Sequence, residues 1–128
     1  MSEPTTEDLK RAVKLFNRWQ FQEAADAFRQ LADESDGRDR AFLDALAHIA
    51  NGFYRIWRNQ GEANATVEYL QKGIDLVRPF DRGALGLSTD GLVQQLEMCL
   101  EEARRWRRGE SEIFNRDFIP RLEYTVEA

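Results

Sequence analysis

The chain has 128 residues, with 18 basic and 23 acidic side chains and a formal net charge of −5, a size at which a single hydrophobic core is expected. The acidic balance speaks against phosphate backbones, so no nucleic-acid partner is expected, and apolar runs of only a few residues leave no membrane-spanning segment. Met1, Ser2, Glu3 and Pro4 lack the basic start and apolar stretch of an export signal, and the single cysteine, Cys99, can form no internal disulfide. A cytoplasmic protein stabilised by packing is the expectation.

Thr5 or Thr6 can cap a first helix, with Glu7 and Asp8 in its positive first turn and Leu9, Val13 and Phe16 at helical spacing. After a break near Trp19 and Gln20, the set Phe21, Ala24, Ala25, Phe28, Leu31 and Ala32 predicts a second amphipathic helix. The polar interval Asp33 to Gly37 reads as a loop between hairpins. A long third helix is predicted from Asp39 to about Asn59. Phe42, Ala45, Ile49, Phe53 and Ile56 form one apolar stripe on it, broadened by Leu43, Leu46, Ala47, Ala50, Tyr54 and Trp57. Apolar residues on two faces mark a central helix packed on several sides.

Gln60 and Gly61 supply a turn into a fourth helix carrying Ala63, Val67, Leu70, Ile74 and Val77, which stops before Pro79. Gly73 within it suits close approach of a neighbouring helix. The segment Asp81 to Gly91 reads as a loop whose Ser88-Thr89-Asp90 cluster caps a fifth helix, with Leu92, Leu96, Cys99, Ala103 and Trp106 as its buried stripe. Beyond Gly109, the alternation of Phe118, Pro120, Leu122, Tyr124 and Val126 favours extended chain. It reads as an apolar strap over the helices, with docking on a partner as the alternative.

The segment Phe21 to Phe28, with Glu23, Ala24, Ala25, Asp26 and Ala27, resembles the second helix of a tetratricopeptide repeat, and Glu62 to Ile74 resembles it more weakly. The expected fold is therefore all-α: a five-helix bundle of antiparallel, tetratricopeptide-like hairpins in residues 1–108. An extended C-terminal tail, residues 109–128, would pack on the bundle or on a partner.

From about Leu9 to Arg108 the chain also resembles a helical family known as domain of unknown function 309. Phe16, Asn17 and Phe21 stand where that family has a phenylalanine-asparagine pair and an aromatic, and Glu23-Ala24-Ala25-Asp26 stands at its E-A-H-E motif. Leu43 to His48, Tyr54-Arg55 and Gly86-Leu87 match its later L-Q-G-L-I-Q, tyrosine-histidine and glycine-leucine segments. The motif histidines are replaced by Ala25 and Arg55, the glutamate by Asp26, and the glutamines by Asp44 and His48. The resemblance thus implies a fold and carries over no chemistry.

Asp44, His48, Asn51 and Arg55, at i, i+4, i+7 and i+11, share one face of the third helix. Read plainly, this is a solvated face with ordinary i, i+4 neighbours. Read as a site, it lines a polar groove into which Glu23 and Asp26 of the second helix also look. There Arg55 would hold a carboxylate or phosphate and His48 would supply a hydrogen bond or a proton. One histidine with scattered carboxylates makes a poor metal set, and no nucleophile-base arrangement or phosphate loop is legible, so neither metal nor cofactor is expected.

Arg104, Arg105, Arg107 and Arg108 surround Trp106 at a helix C-terminus, where cations complement the dipole. Trp106 and Arg107, with Phe118 and Tyr124 of the tail, form the alternative partner surface. The leading expectation is a non-catalytic protein- or peptide-binding or scaffolding module, and the competing one is a small-molecule or metal-dependent enzyme using the groove around His48. A homodimer completed by the tail or the third helix is the third.

Overall fold

The computed structural model describes residues 6–57, 62–111 and 114–125, with the backbone alone for Thr6 and Trp57. The predicted cap at Thr5, the turn at Gln60 and Gly61, the tail residue Val126 and the side chain of Trp57 lie outside this description.

The protein is all-α. Helix α1, Thr6–Asn17, buries Leu9, Ala12, Val13 and Phe16, and α2, Phe21–Asp33, buries each apolar residue of its predicted stripe. Helix α3, Gly37–Tyr54, begins two residues earlier than the periodicity suggests and continues into a 3-10 turn over Arg55–Trp57. Gly37, expected in the loop, is its first residue after the extended Asp36. Helices α4, Ala63–Val77, and α5, Leu92–Arg107, complete the set.

Each helix packs mainly on its neighbours in the chain, and α3 lies between α2 and α4. The burial of α3 on two faces follows from its double stripe, since Phe42, Leu43, Leu46, Ile49 and Phe53 are all at most 1% exposed. Phe16 meets Phe21 edge-on at 5.0 Å and Phe53 at 6.1 Å, joining the first three helices through one aromatic cluster. On its other side α3 approaches α4 through glycines. A Cβ on Gly73 would stand 2.5 Å from Ile49 Cγ1, and one on Gly52 would stand 3.0 Å from two atoms of Leu70.

The segment between α4 and α5 differs from the predicted loop and cap. It contains a short strand, β1, Leu87–Ser88, and α5 starts from Gly91 in the left-handed region with no side-chain cap. The residues expected to cap instead hold the loop: the Thr89 hydroxyl donates to the Phe80 carbonyl, and Ser88 Oγ accepts from the Asp90 amide at 3.2 Å.

The tail folds back over the helices. It forms a 3-10 turn, Arg116–Phe118, and a strand β2, Glu123–Tyr124, that pairs antiparallel with β1. Phe114, Ile119 and Leu122 are buried. Side chains of the helices hold its backbone. Asn17 donates to the Leu122 carbonyl at 2.9 Å and accepts from the Leu122 amide at 2.8 Å. Gln95 and Cys99 donate to the Phe118 carbonyl, and Glu102 accepts from the Asn115 amide at 3.1 Å. The tail thereby ties α5 to α1. Among the described residues, no helix is long and apolar enough to cross a membrane.

Candidate functional site

The polar stripe of α3 is half-buried throughout: Asp44, His48, Asn51 and Arg55 are each neither fully exposed nor enclosed. Its position on a central helix explains this, because α4 passes alongside it at the close approach made by Gly52 and Gly73. The groove the stripe helps to line is therefore between α3 and α4. His48 and Arg55 share it with Ala65, Glu68, Tyr69 and Lys72, around a volume of about 360 Å³.

Glu23 and Asp26, expected to look into the same groove, do not reach it. Both are exposed on α2, on the other side of α3. Glu23 instead borders a separate hollow of about 290 Å³ with Trp19, Gln20, Phe21, Gln22 and Tyr54. Among the described residues, no group of three or more histidine, cysteine, aspartate or glutamate side chains could hold a metal ion.

Arg55 is the best-placed charge in the groove. Its guanidinium carbon lies 5.6 Å from the Tyr69 ring centre and 5.7 Å from that of Tyr54, distances at which the ring faces attract a cation. It makes a 3.4 Å contact with Glu62, an ion pair in which both side chains are about a quarter exposed. Its Nε is buried and, among the described residues, without a hydrogen-bond partner. The terminal guanidinium nitrogens, which make one long carboxylate contact among the described residues, leave capacity for a further acceptor. Arg55, at the start of the 3-10 turn, reaches Glu62 and not its i, i+4 neighbour Asn51.

His48 likewise bonds differently from the expected pairing with the Asp44 side chain. Its Nδ1 lies 2.8 Å from the Asp44 main-chain carbonyl. A carbonyl only accepts, so Nδ1 carries the proton and a neutral ring keeps Nε2 as an acceptor. Tyr69, whose ring centre is 6.1 Å away, flanks it. Lys72 brings a second full positive charge to the rim, and Ala65 lies in the first turn of α4, which holds no acidic residue. The α4 N-terminus and the two cations favour an acceptor here, opposed by Glu62, Glu68 and the C-terminal end of α3 at Arg55.

Sequence reasoning missed Tyr69 and Lys72, since they belong to α4. Their spacing from Ala65 and Glu68 (i, i+3, i+4, i+7) was the available signal that one face of α4 meets the stripe.

The second predicted surface is divided between core and exterior. Trp106 is 3% exposed, a correction that follows from its place on the same buried stripe as Leu96, Cys99 and Ala103. Phe118 is half-buried against the core, whereas Arg107 and Tyr124 are exposed. The arginines around Trp106 do not form an open basic patch: Arg104, Arg105 and Arg108 each lie within 4.0 Å of a glutamate. The positions at the head of the family resemblance serve packing and tethering, with Phe16 in the aromatic cluster and Asn17 on the tail. No family model, curated protein or solved structure matches the chain.

Proposed function

We propose that this protein is a non-catalytic binding module whose α3–α4 groove takes a carboxylate of a protein or peptide partner. The observation that carries the reading is Arg55: its guanidinium is positioned by Tyr54 and Tyr69 beside Lys72, and its contact with Glu62 is a long 3.4 Å. A side chain so positioned loses little rotamer freedom on binding, which is where affinity for a carboxylate is usually spent. The overall charge of −5 does not decide the matter, because at physiological salt charges more than about 8 Å apart are largely screened, leaving Arg55 and Lys72 against Glu62 and Glu68 as the charges that act locally.

The test is a 1H–15N NMR titration with end-blocked triglutamate peptide. Saturable shifts centred on His48, Arg55 and Tyr69 are expected, weaker in Arg55→Lys and lost in Arg55→Ala. Absence of saturable shifts up to millimolar peptide, or identical shifts in the Arg55→Ala protein, would refute the proposal.

A further inference from the structure

Trp19 occupies an unusual position. It ends α1 with φ of +63°, and the bonds from its amide to the Phe16 carbonyl and from the Gln20 amide to the Leu15 carbonyl, both 2.9 Å, form a Schellman turn. The left-handed residue of such a turn is usually glycine, because a Cβ there crowds the following carbonyl. Here it is the largest side chain available, and 44% of it is exposed. Backbone strain combined with an exposed indole is the pattern in which local energy is given up for a surface.

The hollow beside Trp19 and the α3–α4 groove are neighbours. Tyr54 lines the first, and the Arg55 guanidinium, which lines the second, lies 5.7 Å from the Tyr54 ring centre. Tyr54 and Arg55, in contact with one another, therefore stand between the two hollows. Their chemistry differs. Around Trp19 the lining offers aromatic faces and the amides of Gln20 and Gln22. Charges there offset one another, with Glu23 and the C-termini of α1 and α3 against Arg55 and the N-terminus of α2, so the aromatic faces are what distinguish this hollow. An uncharged apolar side chain fits, lying on indole and phenol while amides bond the adjacent backbone.

Resting on the carboxylate reading above, we infer that the two hollows are subsites for one ligand, an acidic peptide segment of a partner protein. Its carboxylate lies by Arg55 and Lys72, and a bulky apolar side chain a few residues away lies on Trp19 and Tyr54. Charge complementarity selects the acidic end, and the strained, exposed Trp19 marks the apolar end.

The test compares two end-blocked peptides, Glu-Glu-Gly-Leu-Phe and Glu-Glu-Gly-Gly-Gly, titrated by NMR into wild type, Trp19→Gly and Arg55→Gln. Glycine suits the turn, so Trp19→Gly removes the indole without adding strain, and a thermal melt checks its fold. Wild type should bind the Leu-Phe peptide about tenfold tighter, the scale of one buried aromatic contact. Trp19→Gly should abolish that preference and leave the affinity for the glycine peptide unchanged, while Arg55→Gln weakens both. Equal affinity of wild type for the two peptides, or a preference that survives in Trp19→Gly, would overturn this inference alone. Failure of both peptides to bind would overturn it together with the carboxylate reading.

Discussion

Replacing Gly73 by alanine tests the contact on which the α3–α4 groove is built. The added Cβ would stand 2.5 Å from Ile49 Cγ1 and 3.3 Å from the Ile49 main-chain nitrogen, whereas unstrained carbon contacts lie at about 3.5–4.0 Å. Roughly 1 Å must be absorbed. Ile49 is fully buried on a helix, where a β-branched side chain has essentially one χ1 well, so it cannot swing aside. The helices must separate or the side chain must strain, and overpacking of this kind costs about 1–3 kcal/mol. Alanine returns about 1 kcal/mol through better helix propensity. With helix backbone as the second obstacle, the balance is a net loss of about 1–2 kcal/mol.

Urea denaturation followed by circular dichroism would measure this loss, which at the present chain length corresponds to a fall in Tm of about 3–10 °C. Gly52→Ala, where the contacts are 3.0–3.3 Å, should cost less than Gly73→Ala. The cycle with Ile49→Ala isolates the cause. Removing Cγ1 should be cheaper in the Gly73→Ala protein than in wild type by about 1 kcal/mol or more, as expected for residues in contact. A Gly73→Ala protein as stable as wild type, or additivity in the cycle, would show that α3 and α4 do not meet as described.

Three further outcomes are expected. Thr66 is fully buried with its hydroxyl unpartnered, so Thr66→Val should raise stability by about 1 kcal/mol in the same urea assay; a loss would reveal a hydrogen bond. Burial, with the Glu102 charge adding to it, pushes the Cys99 thiol up to about 12 from 9.0. Below pH 9 both folded and unfolded chains keep the proton. Between pH 9 and 12 only the unfolded chain releases it, so stability present below pH 9 is lost across this window at up to about 1.4 kcal/mol per pH unit. Cys99→Ala should lack this component, and parallel pH profiles for the two proteins would refute it. Finally, Asn17→Ala removes both bonds to Leu122 and should cost about 1–3 kcal/mol. Asn17→Asp keeps the acceptor but sets a carboxylate against the Leu122 carbonyl, so hydrogen exchange at the Leu122 amide should quicken in both variants. Unchanged exchange would place the tail's anchorage elsewhere.

How far the candidate site could be read in advance depended on which contacts it used. Asp44, His48, Asn51 and Arg55 share a face because an α-helix repeats every 3.6 residues, so that part needed no tertiary knowledge. Which helix the face meets is another matter. Glu23 and Asp26 were expected beside it, yet Tyr69 and Lys72 are there. Periodicity places a side chain around its own axis and says nothing of the rotation of the neighbouring helix. Trp106 shows the same limit from another direction: its helical stripe marked it as buried, while its arginine neighbours marked it as surface. Packing against the core, leaving it 3% exposed, outweighed the local charge.

By itself the sequence determined the five amphipathic helices, the aromatic and alanine stripes that face the core, and the close approach available at Gly73. All of these follow from spacings within a few turns of one helix. Tertiary structure alone decided the pairing of β1 with β2, the clamp of Asn17 on Leu122 across 105 residues of chain, and the position of Arg55 against Tyr54 and Tyr69. Such contacts form only once separate helices have docked. A single asparagine, arginine or glycine carries no mark of a partner so distant until packing brings the two together.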